Sequence, residues 1–247
     1  MDAEAQDGMD ASAEGLVQLA ARMVDGREGG AAAPRILDMG CDAEGTREAL
    51  AALGPVTAAE GDLCALAFED AFDLAFSCGV FHQVPDQLGL LRSVNRALAP
   101  GGALVAEMGA AGNIGRVEAA YTEALRAHSG DYTCQFSFPK ESAYRRLLTI
   151  AGFAVEQMET FELPLPLPGG RGGLRQAAEA LFARSLALYR DDTRAAILDD
   201  FERAAEEEGL WDGSAWVADG VHLRFAARKV RQAAAPGGAS PLAVLGS

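Results

Sequence analysis

The sequence predicts an α/β fold in which a doubly wound, mostly parallel sheet carries a helical cap insertion and ends in an antiparallel hairpin. Three observations lead there. The short apolar runs I-L-D-M, F-D-L-A-F-S and A-L-V-A-E-M have the hydrophobicity of strands covered on both faces. Segments with apolar residues at helical spacing separate them, and strands alternating with helices build a parallel sheet. Each run also ends in small or acidic residues, and the crevice beyond the carboxyl ends of such strands is where an open sheet holds its ligand.

Residues 1–11 and the tail 231–247, biased to Ala, Gly and Pro, are expected to be disordered, which leaves 12–230 as a single domain. Ser12 to Val24 reads as a helix with Leu16, Leu19, Ala20 and Met23 on one face. G-R-E-G-G-A-A-A-P breaks it and leads into the first strand at Ile36, Leu37 and Met39. Thr46 to Leu53 is the next helix, V-T-A-A-E (56–60) a short strand and F-D-L-A-F-S (72–77) another. Asp86 to Leu98 is a helix with Leu88, Leu91, Val94 and Leu98 at helical spacing; A-P-G-G turns the chain into the strand 103–108.

The second half is more helical, over 114–127, 140–151, 173–189 and 193–208. Two late strands, 154–163 and 221–229, close the sheet, the latter with Val221, Leu223, Phe225 and Ala227 on one face. The helices between them, about 170–217, form a cap insertion of the kind that roofs a ligand crevice. Trp211 and Trp216 read as packing anchors of a turn closing that cap.

Composition excludes several classes. With 21 basic against 36 acidic residues the formal charge is −15, which disfavours nucleic acid and anionic membrane surfaces as partners. Four scattered cysteines and three histidines fit neither a disulfide framework nor a zinc site, so no metal is expected. No apolar run reaches the ~18 residues of a membrane span, and the acidic start M-D-A-E-A-Q-D-G is unlike a signal peptide. The expected setting is cytoplasmic and reducing, and the expected partner a small molecule.

The strand ends carry the chemistry: Asp38-Met39-Gly40, Glu60-Gly61-Asp62, Ser77-Cys78-Gly79 and Glu107-Met108-Gly109. Carboxylates there suit ribose hydroxyls or an amine better than phosphate, so a cofactor with sugar and cationic amino-acid parts fits better than a dinucleotide. The combination I-L-D-M-G-C, G-D-L-C-A-L-A-F-E-D-A-F-D-L-A-F-S and R-A-L-A-P-G-G-A-L-V-A-E resembles the S-adenosylmethionine-dependent methyltransferases of the Rossmann-like class. A-E-M-G-A-A-G-N-I, F-P-K-E-S-A-Y-R-R-L-L-T-I-A-G-F, F-E-L-P-L-P-L and W-V-A-D-G-V-H-L-R-F-A-A-R-K look like its trans-aconitate methyltransferase-like branch. The resemblance spans about residues 34–230. It implies a seven-strand type of sheet, S-adenosylmethionine as cofactor and O-methylation of a small carboxylic acid. It also places Asp38, Gly40 and neighbouring Cys41 in the cofactor turn, Asp62 and Leu63 at the adenine, Ser77 and His82 along the active site, and Glu107, Gly109 and Asn113 near the substrate.

Three departures fall on the cofactor side. The family turn D-x-G-C-G-x-G is here D-M-G-C-D-A-E-G, with Asp42 and Glu44 in place of two glycines, although Gly45 can shift the turn by one residue. Only L-G-P-V-T-A-A-E-G-D joins the first helix to Asp62, too little for a full strand–helix unit, so the sheet is expected to be one strand and one helix short. Glu60 takes the ribose role if its strand lies beside the first, and is a mere strand-end residue otherwise. Finally, no aromatic residue precedes Phe68.

A carboxylate substrate needs cations or hydrogen-bond donors, for which Arg171, Arg175, His222, Arg224 and Tyr144 are candidates. His82 is the candidate catalytic residue, as substrate orienter or base. Cys41 and Cys78 lack an evident cationic neighbour and read as small packing residues. Two other readings stay open: a degenerate member that binds another ligand or partner, and a cofactor-independent enzyme using the same pocket.

Overall fold

The structure, a computed structural model, describes residues 3–25, 32–41 and 45–231, with side chains of the first helix from Ser12 onward. The chain runs α1 (Ala3–Asp25), β1 (Ile36–Asp38), α2 (Thr46–Leu53), β2 (Val56–Ala58), β3 (Phe72–Cys78), α3 (Gln87–Ala97), β4 (Leu98–Gly109), α4 (Gly115–Ala127) and α5 (Glu141–Ile150). It continues with β5 (Phe153–Glu162), β6 (Leu165–Leu167), α6 (Gly173–Leu181), α7 (Ala183–Leu186), α8 (Asp191–Glu207), β7 (Trp216–Ala218) and β8 (Val221–Lys229). Six strands form the main sheet in the order β2-β1-β3-β4-β8-β5. The first four are parallel, while β8 runs antiparallel between β4 and β5.

Alternation along the strands divides the interior into two layers. On one face Leu37, Ala75, Leu104 and Phe225 meet Leu91, Val94, Tyr144 and Leu148 from α3 and α5. On the other, Ile36, Leu74, Phe76 and Val105 meet Leu16, Leu19, Met23 and Leu50 from α1 and α2. A third cluster lies outside the sheet, where α4 packs on α8 with Tyr121, Phe182, Phe201 and Trp216 all fully buried. The short β6–β7 ladder belongs to that cap, and α1 reaches it as well as the sheet.

The expected shortening at the β1 edge is present. β1, α2 and β2 make a complete parallel crossover, with Ile36 opposite Val56 and Asp38 opposite Ala58. The chain then returns to β3 on the far side of β1 through one 3-10 turn, Leu63–Ala65, where the missing helix and strand of a seven-strand sheet would stand. Asp62 caps that turn by accepting a hydrogen bond from the Cys64 N–H at 2.8 Å.

Several expectations need correction. α1 begins at Ala3, not Ser12, because A-E-A-Q-D-G-M-D-A is rich in helix formers and its single glycine costs only about 1 kcal/mol. Residues 3–11 thus fall within α1, while the expected disorder of 232–247 concerns residues outside those described. The helix expected over 173–189 breaks at Phe182, whose ring stacks on Tyr121 at 3.8 Å and is drawn fully inside. The strands β6 and β7 have three residues each, too short to show alternation. A-P-G-G is absorbed into β4 as an irregularity opposite Phe72–Leu74.

Trp216 anchors the cap core, its ring fully buried and its indole N–H donated to the Arg171 carbonyl at 3.0 Å. Trp216→Ala is predicted to cost about 3–5 kcal/mol of unfolding free energy, read by urea denaturation, with the loss showing first as exchange of the α4 and α8 amides.

Candidate functional site

The carboxyl ends of β1 to β4 open on one side of the sheet, with β8 bringing its own residues up from the opposite direction. At β1, Asp38 is nearly fully buried. Its carboxylate accepts the Gly40 N–H at 3.0 Å and pairs with the exposed Arg47 of α2 at 3.4 Å. Gly40 holds φ +105, and a Cβ there would meet Val80 Cγ2 at 2.8 Å, so the main chain turns here without a side chain in the way. Gly45, at φ +76, takes the left-handed position before α2. Asp42 and Glu44, the two substitutions that the turn raises, lie outside the described residues.

β2 stands beside β1, which is the arrangement that would give Glu60 a ribose role. The Ala59 N–H extends the ladder to the Asp38 carbonyl at 2.7 Å, and Glu60 follows at once, exposed and without a hydrogen bond or ion pair among the described residues. Leu63 is half-buried against the α3 side of the core. The Asp62 carboxylate is exposed, with one oxygen committed to the turn it caps. Bare main chain at Gly40, a buried carboxylate at Asp38 and an open carboxylate at Glu60 fit a cofactor with ribose hydroxyls.

The residues expected deeper in the site divide sharply. Glu107, His222 and Arg224 come together at the β4–β8 pair, where Glu107 lies opposite Arg224 and Gly109 opposite His222. One Glu107 oxygen accepts from Ser12 Oγ at 2.8 Å and from His222 Nδ1 at 2.9 Å; the other accepts from Arg224 Nε at 2.8 Å. Arg224 also donates to the Ser12 carbonyl at 2.9 Å, and its guanidinium lies 5.0 Å over the Phe161 ring. Burial pushes the Glu107 carboxyl up, but the His222 hydrogen bond, the Arg224 charge and the Ser12 hydroxyl together hold it below the ordinary carboxylate value.

His82 stands at the same strand end, where its Nδ1 accepts the Gly109 N–H at 3.2 Å. Its ring packs against the Phe136–Phe138 pair, with centroids at 5.8 and 5.6 Å, and the Ser137 N–H donates to the His82 carbonyl at 2.7 Å. A Cβ on Gly109 would strike the Phe138 ring at 2.5 Å, so this close approach needs glycine. Burial, aided by His222, lowers the imidazole to about 4. Asn113 is buried nearby and accepts the Val221 N–H at 2.9 Å, tying the chain after β4 to the start of β8.

Four expected residues are placed elsewhere. Tyr144 is fully buried between α3, α5 and the sheet, its hydroxyl donated to Gln87 at 2.9 Å, so it is a core residue. Arg171 pairs with Glu206 and lies 4.1 Å over Trp211, while Arg175 pairs with Asp199 and Glu202; all are within the cap. Ser77 is sealed inside, its hydroxyl the single fully buried side-chain polar atom without a partner among the described residues. Cys41 sits beside Cys78, whose thiol is pushed up by the hydrogen bond between them and by burial, which makes Cys78 a poor nucleophile. Phe136, Phe138 and Ser12 were missed. The aromatic alternation F-S-F before Pro139 was a usable signal for the first two; a serine on an apolar helix face is a weak one.

A Glu107→Ala variant leaves Arg224 without its partner and is predicted to lower stability by roughly 3–5 kcal/mol at neutral pH. Because the folded-state carboxyl is held low, its stabilisation is fully present above about 4.5 and is lost as the pH falls below that value. Urea titrations should show the gap between wild type and variant closing in acid; a gap independent of pH would contradict the network.

Comparison with known proteins agrees with this geometry. A family model described as a methyltransferase domain matches residues 37–106. A search of curated proteins finds no significant match. Among solved structures, a candidate methyltransferase from Bacillus halodurans is 16% identical with TM-score 0.58, covering 89% of this chain and 99% of its own. Loganic acid methyltransferase, solved with S-adenosylhomocysteine, is 11% identical with TM-score 0.65, covering 91% and 94%. The YcgJ protein from Bacillus subtilis is 15% identical with TM-score 0.55, covering 89% and 100%. The chain thus has the Rossmann-like methyltransferase fold, with a methyltransferase-domain sequence over 37–106.

Proposed function

We propose that the protein is an S-adenosylmethionine-dependent methyltransferase that methylates an oxygen of a small carboxylic acid. The observation that carries the reading is the edge formed by β1 and β2, where Gly40 turns with bare main chain while Asp38 and Glu60 stand at adjacent strand ends. Similarity to methyltransferases, one of them solved with S-adenosylhomocysteine, supports the cofactor. When bound, S-adenosylmethionine supplies an electrophilic methyl group on a sulfonium centre. The protein's part is then to align an acceptor and exclude water. Glu60 offers the ribose an unpaired carboxylate, and the His82–Gly109–Asn113 region lies where an acceptor would be positioned.

The acid half of the reading has a specific requirement. The candidate arginines are all paired, Arg224 with Glu107 and the two cap arginines with residues of α8. A substrate carboxylate would therefore be held mainly by neutral donors, which leaves its charge undamped for attack on a methyl group. This favours a monocarboxylate over a polycarboxylate substrate.

A second reading, in which the fold has lost methyl transfer and holds another ligand or acts without the cofactor, draws on the shortened sheet at the same edge. Calorimetric titration with S-adenosylmethionine and S-adenosylhomocysteine separates the two. Saturable binding of both is expected, and Glu60→Gln, which disturbs no folded-state bond, is predicted to weaken it about 10- to 100-fold. No heat at millimolar ligand would leave the second reading standing and remove the first.

A further inference from the structure

The most informative unassigned group is the His82 imidazole, because its tautomer is dictated by main chain. A neutral imidazole carries one proton, and the nitrogen that accepts a hydrogen bond is the one without it. Gly109 N–H points at Nδ1 over 3.2 Å, so the proton resides on Nε2. Burial keeps the ring neutral well below physiological pH. The ionisable groups facing this strand end do not reverse that state: His222 donates its Nδ1 proton to Glu107, and the Glu107 charge is met by Arg224.

Nε2 has no hydrogen-bond partner among the described residues. It is also not sealed from solvent, since Ser77 Oγ alone among the described side-chain polar atoms is both fully buried and unpartnered. The ring cannot turn freely to present Nδ1 instead. Phe136 and Phe138 pack against it together, the Gly109 N–H engages Nδ1, and the Ser137 N–H clamps the His82 carbonyl. The two phenyl rings stack on each other with centroids 5.5 Å apart, forming an apolar wall beside the open donor.

We propose that His82 is a fixed hydrogen-bond donor, not a general base, and that its Nε2–H holds an acceptor oxygen on a planar, unsaturated body lodged against Phe136 and Phe138. The acceptor is a carboxylate or carbonyl oxygen. A group that can only donate is not accommodated there. This rests on the small-acid reading of the site for its substrate, but the tautomer itself does not.

Nitrogen-15 spectra of the histidines test the tautomer on the protein alone. The neutral Nε2–H form of His82 is expected throughout pH 5–8 at about ambient temperature; an Nδ1–H form, or an imidazolium at neutral pH, overturns the proposal. Titration with benzoate, an acceptor on a flat ring, should shift the His82 Nε2 resonance, while benzylamine should leave it in place. His82→Gln, which keeps an N–H near the Nε2 position, should retain benzoate, whereas His82→Phe should lose about 10- to 100-fold in affinity. Benzoate bound equally well by His82→Phe, with that variant's circular dichroism unchanged, refutes the donor role. Where an acceptor is methylated, His82→Phe should raise KM more than it lowers kcat while His82→Gln restores KM, and the wild type should show no histidine limb in its pH profile. Absence of cofactor binding in calorimetry would strike the methyltransferase reading while leaving the tautomer and benzoate results to judge this one.

Discussion

The Glu107 carboxylate is the point on which the ligand end of this molecule depends. It is nearly fully buried at the end of the central strand β4, where an uncompensated charge would be intolerable. Compensation comes from two other elements, Arg224 and His222 of β8 and Ser12 of α1. Satisfying one carboxylate therefore fixes the β4–β8 register at the crevice and pins the N-terminal helix across the sheet. The same arrangement removes Arg224 as a free cation. That electrostatic consequence shapes the functional reading more than the helix packing does, because it leaves neutral donors as the means of holding an acidic acceptor.

The second constraint is chain length. After β2 too few residues remain for another strand and helix, so the chain crosses directly to β3 and leaves β2 as the sheet edge. In a seven-strand sheet that edge would be covered. Here the exposed Glu60 follows a three-residue strand whose only partner among the described residues is β1. α1 brings no aromatic ring to the strand ends; Phe136 and Phe138 stand beside His82, and Phe161 beside His222 and Arg224. The β1–β2 edge is thus reduced, while the rings near His82 and His222 come from the segment before α5 and from the edge strand β5.

The sheet was legible in the sequence because its strands announce themselves by continuous hydrophobicity: Ile36–Asp38, Phe72–Cys78 and Val221–Lys229 lie close to where that signal places them. Glu107 stood out by its strand-end position, whereas His82 and Asn113 were pointed to by the family resemblance and His222 as a candidate cation on the last strand. Tyr144 was not, since a tyrosine at helical spacing reads alike whether it faces a cleft or a core; the deciding fact is the Gln87 side chain that accepts its hydroxyl. Arg171 and Arg175 failed for a similar reason, because their acidic partners on α8 are distant in sequence. The Gly109 N–H to His82 contact has no sequence signature. It arises from three-dimensional juxtaposition of two strand ends.

The central claim is that the crevice between Gly40 and Glu60 holds the cofactor. The most direct measurement is a crystal structure grown with S-adenosylhomocysteine. The account predicts the ligand across the carboxyl ends of β1 and β2, its ribose hydroxyls on the Glu60 carboxylate and its main body against the Gly40 turn. Electron density for the ligand elsewhere, or an empty crevice under saturating S-adenosylhomocysteine, would contradict it.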